Sequence, residues 1–169
     1  MTTWRSRIVE TGTADPRSLI ANPQNWRKHP KSQADAISGV LDEVGWVQDV
    51  IVNRTTGRLV DGHLRVEVAI QTKQETIPVT YVDLSEAEEA LILATFDPIS
   101  AMATADAEIL RDLLDHVSTG EAAVQQMIAD LAERENIVAP DVEFPEYDES
   151  IADSVKYCEC PECGHRWPQ

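Results

Sequence analysis

Residues 61–65 read DGHLR, inside the run GRLVDGHLRVEVAI at 57–70. The RLV before it suits a strand, and HLRVEVAIQT after it is most simply a helix despite its valines. The motif therefore falls on a strand-to-helix turn. A helix start offers free backbone N–H groups and the positive end of the helix dipole, and both favour an anion. Gly62 has no side chain, so a phosphate could approach the backbone closely. Arg65, about one turn further on, carries a planar fork suited to phosphate oxygens. His63 could donate a hydrogen bond or move a proton near neutral pH. Asp61 is the odd member, because a carboxylate repels phosphate. It makes sense as a Mg2+ ligand, as a proton acceptor, or simply as the helix cap. The same residues also read as an ordinary capped helix, with Asp61 as N-cap and Arg65 as a solvated charge, and spacing alone leaves both readings open.

Charge distribution narrows the choice. The 169 residues carry a formal net charge of −16, which taken whole argues against nucleic acid. Residues 1–73, however, hold ten of the fourteen Lys and Arg against eight acids, a local +2, while residues 74–169 sum to −18. Phosphate chemistry therefore belongs in the first half, and the second reads as a solvated or partner-binding region. A hydrophobic content of 43% supports a core. No apolar run approaches the ~20 residues of a membrane span. The opening MTTWRSRIVE lacks the apolar centre of a secretory signal, so a cytoplasmic protein is expected.

The first hundred residues alternate strand and helix. WRSRIVETGT is expected to be an edge strand, and Pro16, Pro23 and Pro30 impose an extended, turn-rich segment after it. Ser32 is expected to start a helix, with Asp35 completing a weak capping box and Gly45 as its stop. WVQDVIVN is strand-like, Thr55-Thr56-Gly57 turns into RLV, and TIPVTYVD is the clearest strand in the chain. SEAEEALILATF is a helix capped by Ser85 and Glu88. The expected class is a compact α+β unit at 1–98, a small mixed sheet with flanking helices. DAEILRDLLDHV and EAAVQQMIADLAEREN follow as two amphipathic helices, too acidic for a DNA-reading helix-turn-helix. They are read as a helical hairpin at 99–137 that packs or pairs with another chain. An acidic, Pro-containing linker is expected at 138–156 and a Cys/His tail at 157–169.

Cys158, Cys160 and Cys163 lie within six residues, a poor disulfide framework and a better metal site. Cys160-Pro-Glu-Cys163-Gly-His165 resembles half a zinc ribbon. With Cys158 and His165 as further ligands the set reaches four, although eight residues are a cramped source. A second chain could complete the site; the alternative is a reduced tail that binds no metal.

The chain also resembles a known family, the ParB N-terminal domain of the ParB/sulfiredoxin fold, over roughly residues 17–95. LIANPQNWR is similar to the family's asparagine-proline box ending in arginine, and GWVQDVIV to its glycine–glutamine–proline box. VDGHLRVEVA occupies the place of its glycine-x-x-arginine box, and TIPVTYVD that of the strand that follows. The Asp-Gly-His-x-Arg version is similar to that of nucleotide-using members, small-molecule kinases among them, and to phage-encoded ParB-like proteins that accompany DNA methyltransferases. The acidic segment and CPxCGH tail resemble that phage-type subgroup. There are departures. Asp49 replaces the usual proline, His63-Leu64 replaces a Glu-Arg pair, and no basic helix-turn-helix follows. Centromere-type partitioning is therefore not expected, and without a cysteine in the turn neither is sulfiredoxin activity.

The resemblance implies a phosphate pocket formed by Gly62, His63 and Arg65, with Arg27 and Gln48 from neighbouring boxes. Lys28 and His29 add a compact basic patch. Asp61 and His63 are the candidate catalytic residues. A nucleoside triphosphate with Mg2+ and a tail-bound Zn2+ are the implied cofactors. Nucleotide is the expected partner, with DNA as a candidate for the N-terminal half and a protein or second copy for the acidic half. Three functions follow: a nucleotide-binding protein of DNA metabolism or modification, with NTPase, phosphotransferase or nuclease chemistry left open; a non-enzymatic adaptor that recruits a methyltransferase or similar partner; and a small-molecule kinase or nuclease of the same fold.

Overall fold

Val50, Val52, Leu59, Ile77 and Val79 are almost solvent-free, and they alternate with residues that point to the opposite side. That period of two is what a strand requires for one face to meet a core. A computed structural model describes residues 3–137, 157–159 and 163–168. The chain divides after Ile137 into two compact units. In the first, β1 (Ile8–Ala14), β2 (Val50–Asn53), β3 (Leu59–Asp61) and β4 (Ile77–Val82) form a mixed sheet in the order β1-β4-β2-β3. β4 runs antiparallel to β1 and parallel to β2, and β2 and β3 form an antiparallel hairpin.

The two faces of the sheet are covered by different helices. Val50, Val52, Leu59, Ile77 and Val79 pack against Val66 and Ala69 of α2 (His63–Gln71). Val60, Val82 and Leu84 pack with Ile51 and with Ile92 of α3 (Glu86–Ser100). Burying a Leu or Val side chain contributes about 1.5–3 kcal/mol, so these two layers dominate the stability of the unit. β1 lies at the sheet edge, as its sequence suggested, and six of its seven residues are exposed.

The structure corrects two readings at the start of α1 and bears out two helix-end signals. α1 (Lys31–Glu43) starts after Pro30, not at Ser32, and no side chain caps it. Asp35 bonds to Lys31 through Nζ at 2.6 Å instead of forming a capping box. Gly45, at φ +87°, does end the helix: its N–H donates to the Leu41 carbonyl at 3.0 Å, the left-handed cap expected of glycine. In α3, Ser85 and Glu88 form the reciprocal capping box that the sequence announced.

α4 (Ala107–Asp115) and α5 (Ala122–Arg134) match the two amphipathic patterns. α5 packs on α1, with Val124 buried where Gly39 leaves space: a Cβ at Gly39 would lie 2.9 Å from Val124 Cγ2. α4 buries none of its residues. The expected linker at 138–156 lies outside the described residues. In the second unit, β5 (Tyr157–Glu159) and β6 (Arg166–Pro168) pair antiparallel. Among the described residues no helix is long and apolar enough to cross a membrane.

Candidate functional site

The DGHLR turn joins the end of β3 to α2, and Gly62 itself is the helix N-cap, at φ +90° and ψ 18°. Only glycine holds that left-handed conformation without strain. A Cβ there would also stand 2.6 Å from Val50 Cγ1 and 3.2 Å from the Arg65 guanidinium. No side chain caps the helix start, so the reading of Asp61 as N-cap is not what the chain does. The first-turn N–H groups of His63, Leu64 and Arg65 have no carbonyl a turn below them, as at any helix start.

Asp61 bonds to Arg65 instead, Oδ2 to Nη2 at 2.8 Å, with both side chains about four-fifths buried. The same guanidinium donates from Nη1 to Gln48 Oε1 at 2.8 Å and from Nη2 to the Asp49 carbonyl at 3.3 Å. Its Nε is buried without a partner among the described residues. Arg65, Gln48, Asp61 and Gly62 are thus one contiguous cluster. A groove of about 650 Å3 opens beside Arg65 and Gln48, lined by Ile37, Val40, Leu41, Val47 and Met127 between α1 and α5.

His63 is buried, and its Nε2 accepts the backbone N–H of Asn22 at 3.2 Å. With Nε2 accepting, the network assigns the neutral ring's proton to Nδ1. Burial lowers the His63 pKa, the Asp61 charge opposes that, and Arg27 and His29 reinforce it. The ring is therefore a neutral strut between the asparagine-proline segment and α2, and it shares its electrostatic surroundings with Asp61, Arg27 and His29. Arg27 forms an ion pair with Asp97 of α3. His29 Nδ1 lies 3.0 Å from Gln33 Oε1. Lys28 is exposed and enters no ion pair among the described residues. Trp26 donates its indole N–H to the Leu93 carbonyl at 3.1 Å, and Trp46 packs on the core.

The residue that organises this site is one the motif reading did not single out. Glu89 of α3 is 1% exposed and accepts from Asn22 Nδ2 at 2.7 Å, Asn53 Nδ2 at 2.6 Å and Thr56 Oγ1 at 2.5 Å. Burial alone would raise its pKa; the three donors and the Arg58 charge outweigh that and hold it below the ordinary glutamate value. One buried carboxylate thus ties the Asn22 segment, the β2–β3 turn and α3 together. A signal was present: Glu89 stands four residues before buried Leu93, on the inward face of the helix.

For the tail, Cys163 is exposed and not in a disulfide. Gly164 takes φ +73° between the two strands, and Cys158 stands opposite Trp167 in their register. Cys160 lies outside the described residues, so the proposed zinc set of Cys158, Cys160, Cys163 and His165 stays a sequence expectation. Among the described residues no group of three or more His, Cys, Asp or Glu is placed to hold a metal ion.

No family model matches the sequence, and no curated protein matches it. Among solved structures the chain is similar to the C-terminally truncated chromosome-partitioning protein ParB from Caulobacter crescentus, complexed with CTP-gamma-S. That likeness has 18% identity over 73% of this chain and 79% of the other, with a TM-score of 0.50. Two structures of a pNOB8-like ParB N-domain are also similar, at 14% and 13% identity and TM-scores of 0.45 and 0.47. They cover 94% and 99% of this chain, and 57% and 56% of theirs. The small mixed sheet with its flanking helices is the ParB N-terminal-domain fold.

Proposed function

We propose that this protein binds a nucleoside triphosphate, with the phosphates at the start of α2 and Arg65 as their principal anchor. The observation that carries this reading is the uncapped helix start at Gly62, overlain by the Arg65 guanidinium. Uncapped N–H groups and a bidentate cation together make an anion site. Lys28, exposed and in no ion pair among the described residues, is a further positive charge in the 27–30 segment, and Gln48 and the adjoining groove offer a seat for the uncharged part of the ligand. A protein of the same fold complexed with a CTP analogue supports the choice of nucleotide. The cellular role proposed with it is nucleotide-linked DNA metabolism or modification in a phage-type system, with DNA meeting the basic 27–30 segment.

Calorimetric titration with ATP, CTP, GTP and ADP in Mg2+ tests this. Binding by at least one nucleotide that Arg65→Ala weakens by about tenfold or more is expected, since a charge-assisted hydrogen-bonded anchor contributes about 1.5–3 kcal/mol. No binding by the intact chain, with or without DNA, refutes it.

A second reading has its own support. α4 is strongly amphipathic, yet Ile109 and Leu113 are 68% and 57% exposed, and Asp106, Glu108, Asp112 and Asp115 surround them. An adaptor that presents α4 to a protein partner accounts for that exposed stripe. If nucleotide fails to bind while Ile109→Glu abolishes association with a methyltransferase-type partner, this reading replaces the first.

A further inference from the structure

We infer that Asp61 occupies the place on Arg65 that a phosphate oxygen would take, so that the site admits a polyphosphate complexed to a divalent cation and excludes the bare anion. The inference rests on the proposed phosphate site and specifies the form of its ligand.

A guanidinium grips an anion bidentately through either of two forks, Nη1 with Nη2 or Nε with Nη2, and both use Nη2. Here Nη2 gives its two hydrogens to Asp61 Oδ2 at 2.8 Å and to the Asp49 carbonyl at 3.3 Å. Nη1 gives one to Gln48. Neither fork is open as the chain stands. The guanidinium also lies against Gly62, with Nη2 3.2 Å from the position of a Cβ there.

A bare phosphate must therefore compete with a carboxylate that is tethered four residues away and always present. The tether gives Asp61 a high effective concentration that a dilute anion lacks. Success would also leave the displaced carboxylate facing the phosphate charge, a repulsive arrangement at short range. A divalent cation removes both obstacles. A hard cation such as Mg2+ takes carboxylate and phosphate oxygens together, so Asp61 exchanges Arg65 for the cation while Arg65 exchanges Asp61 for phosphate. One ion pair, Asp61–Arg65, gives way to two, Asp61–cation and Arg65–phosphate, and no buried charge is left alone.

Inorganic tripolyphosphate is the probe, because it has the charge of a nucleotide tail and no base. It is titrated into the full chain, into Asp61→Asn and into Arg65→Ala, each in EDTA and in MgCl2, with thermal melts confirming that each variant is folded. The expected result is that the wild type binds in MgCl2 and is about tenfold or more weaker in EDTA, whereas Asp61→Asn binds in EDTA about 10–100-fold tighter than the wild type does. The Asn variant should gain little from MgCl2. If its melt shows loss of fold, Asp61→Ala carries the same expectation. Wild-type binding in MgCl2 with an Asp61 variant no tighter in EDTA overturns the inference and leaves the phosphate site standing. Absence of binding in every arm overturns the phosphate site and this inference with it.

Discussion

Glu89→Ala should bring the domain close to unfolding under ordinary conditions. The carboxylate is 1% exposed and accepts three hydrogen bonds of 2.5–2.7 Å. Thr56 is part-buried and its hydroxyl can turn to water, so the Asn22 and Asn53 amides dominate the cost. Each loses a charge-assisted bond of about 1.5–3 kcal/mol, or about 3–6 kcal/mol for the pair. The stability of a single domain is typically about 5–15 kcal/mol, so the change is a large fraction of the total. Glu89→Gln retains one acceptor oxygen and turns an amino group toward a donor; a loss of about 2–3 kcal/mol is expected. Urea unfolding followed by circular dichroism measures both, with an unchanged dependence on urea showing that the cost is in stability. If Glu89→Ala costs under about 1 kcal/mol, the three-way network does not hold the site together and the reasoning fails.

Gly62→Ala places a methyl group against buried Val50 at φ +90°, so left-handed strain and overpacking together predict a loss of about 2–5 kcal/mol, measurable in the same urea experiment. Gly39→Val should lift α5 from α1, because Val124 and Glu121 already stand 2.9 and 3.0 Å from a Cβ there; faster amide hydrogen exchange confined to α5 is the readout. Stability should fall as pH drops below the ordinary glutamate value of 4.5. Ser85 and Arg7 lower the Glu88 pKa to about 2, and Glu89 is lowered too, so the folded state resists the protonation that the unfolded chain accepts. Glu88→Gln should flatten the urea midpoint between pH 4.5 and 2. His63 has the same sign at higher pH. Its folded pKa lies below the ordinary 6.5, so its contribution is complete above that value and is lost as pH falls through the folded one.

Elements governed by local rules were legible in the sequence. TIPVTYVD alternates through Thr80 because Ile77 and Val79 of β4 turn to the core under α2, and the Ser85–Glu88 box and Gly45 stop are signalled within four residues of chain. The start of α1 was misplaced because two local signals compete: Ser32 is a good cap, but Pro30 already holds the extended backbone that an N-cap needs, and Lys31–Asp35 supports the turn that follows. In the site, DGHLR announced Gly62 and Arg65 through their chemistry. The partners of the charges were not legible, because Asp97 on Arg27 and Glu89 on Asn22 lie about seventy residues away in the chain. EAEEAL contains three glutamates of equal appearance, and only the packing of α3 decides that Glu89 turns inward while Glu88 caps. The neutral, hydrogen-bonded state of His63 was hidden for the same reason: its partner is the backbone of Asn22, which no side-chain motif displays.

The central claim is that phosphate binds where α2 begins, and amide chemical shifts test it most directly. Proton–nitrogen correlation spectra of the full chain are recorded while Mg2+ and nucleoside triphosphate are added. The account predicts that the backbone amides of Gly62, His63, Leu64 and Arg65 move most, with the Gln48 and Arg65 side chains, and that Arg65→Ala removes the effect. Saturable shifts elsewhere that leave residues 62–65 in place, or no shifts at all, would contradict it.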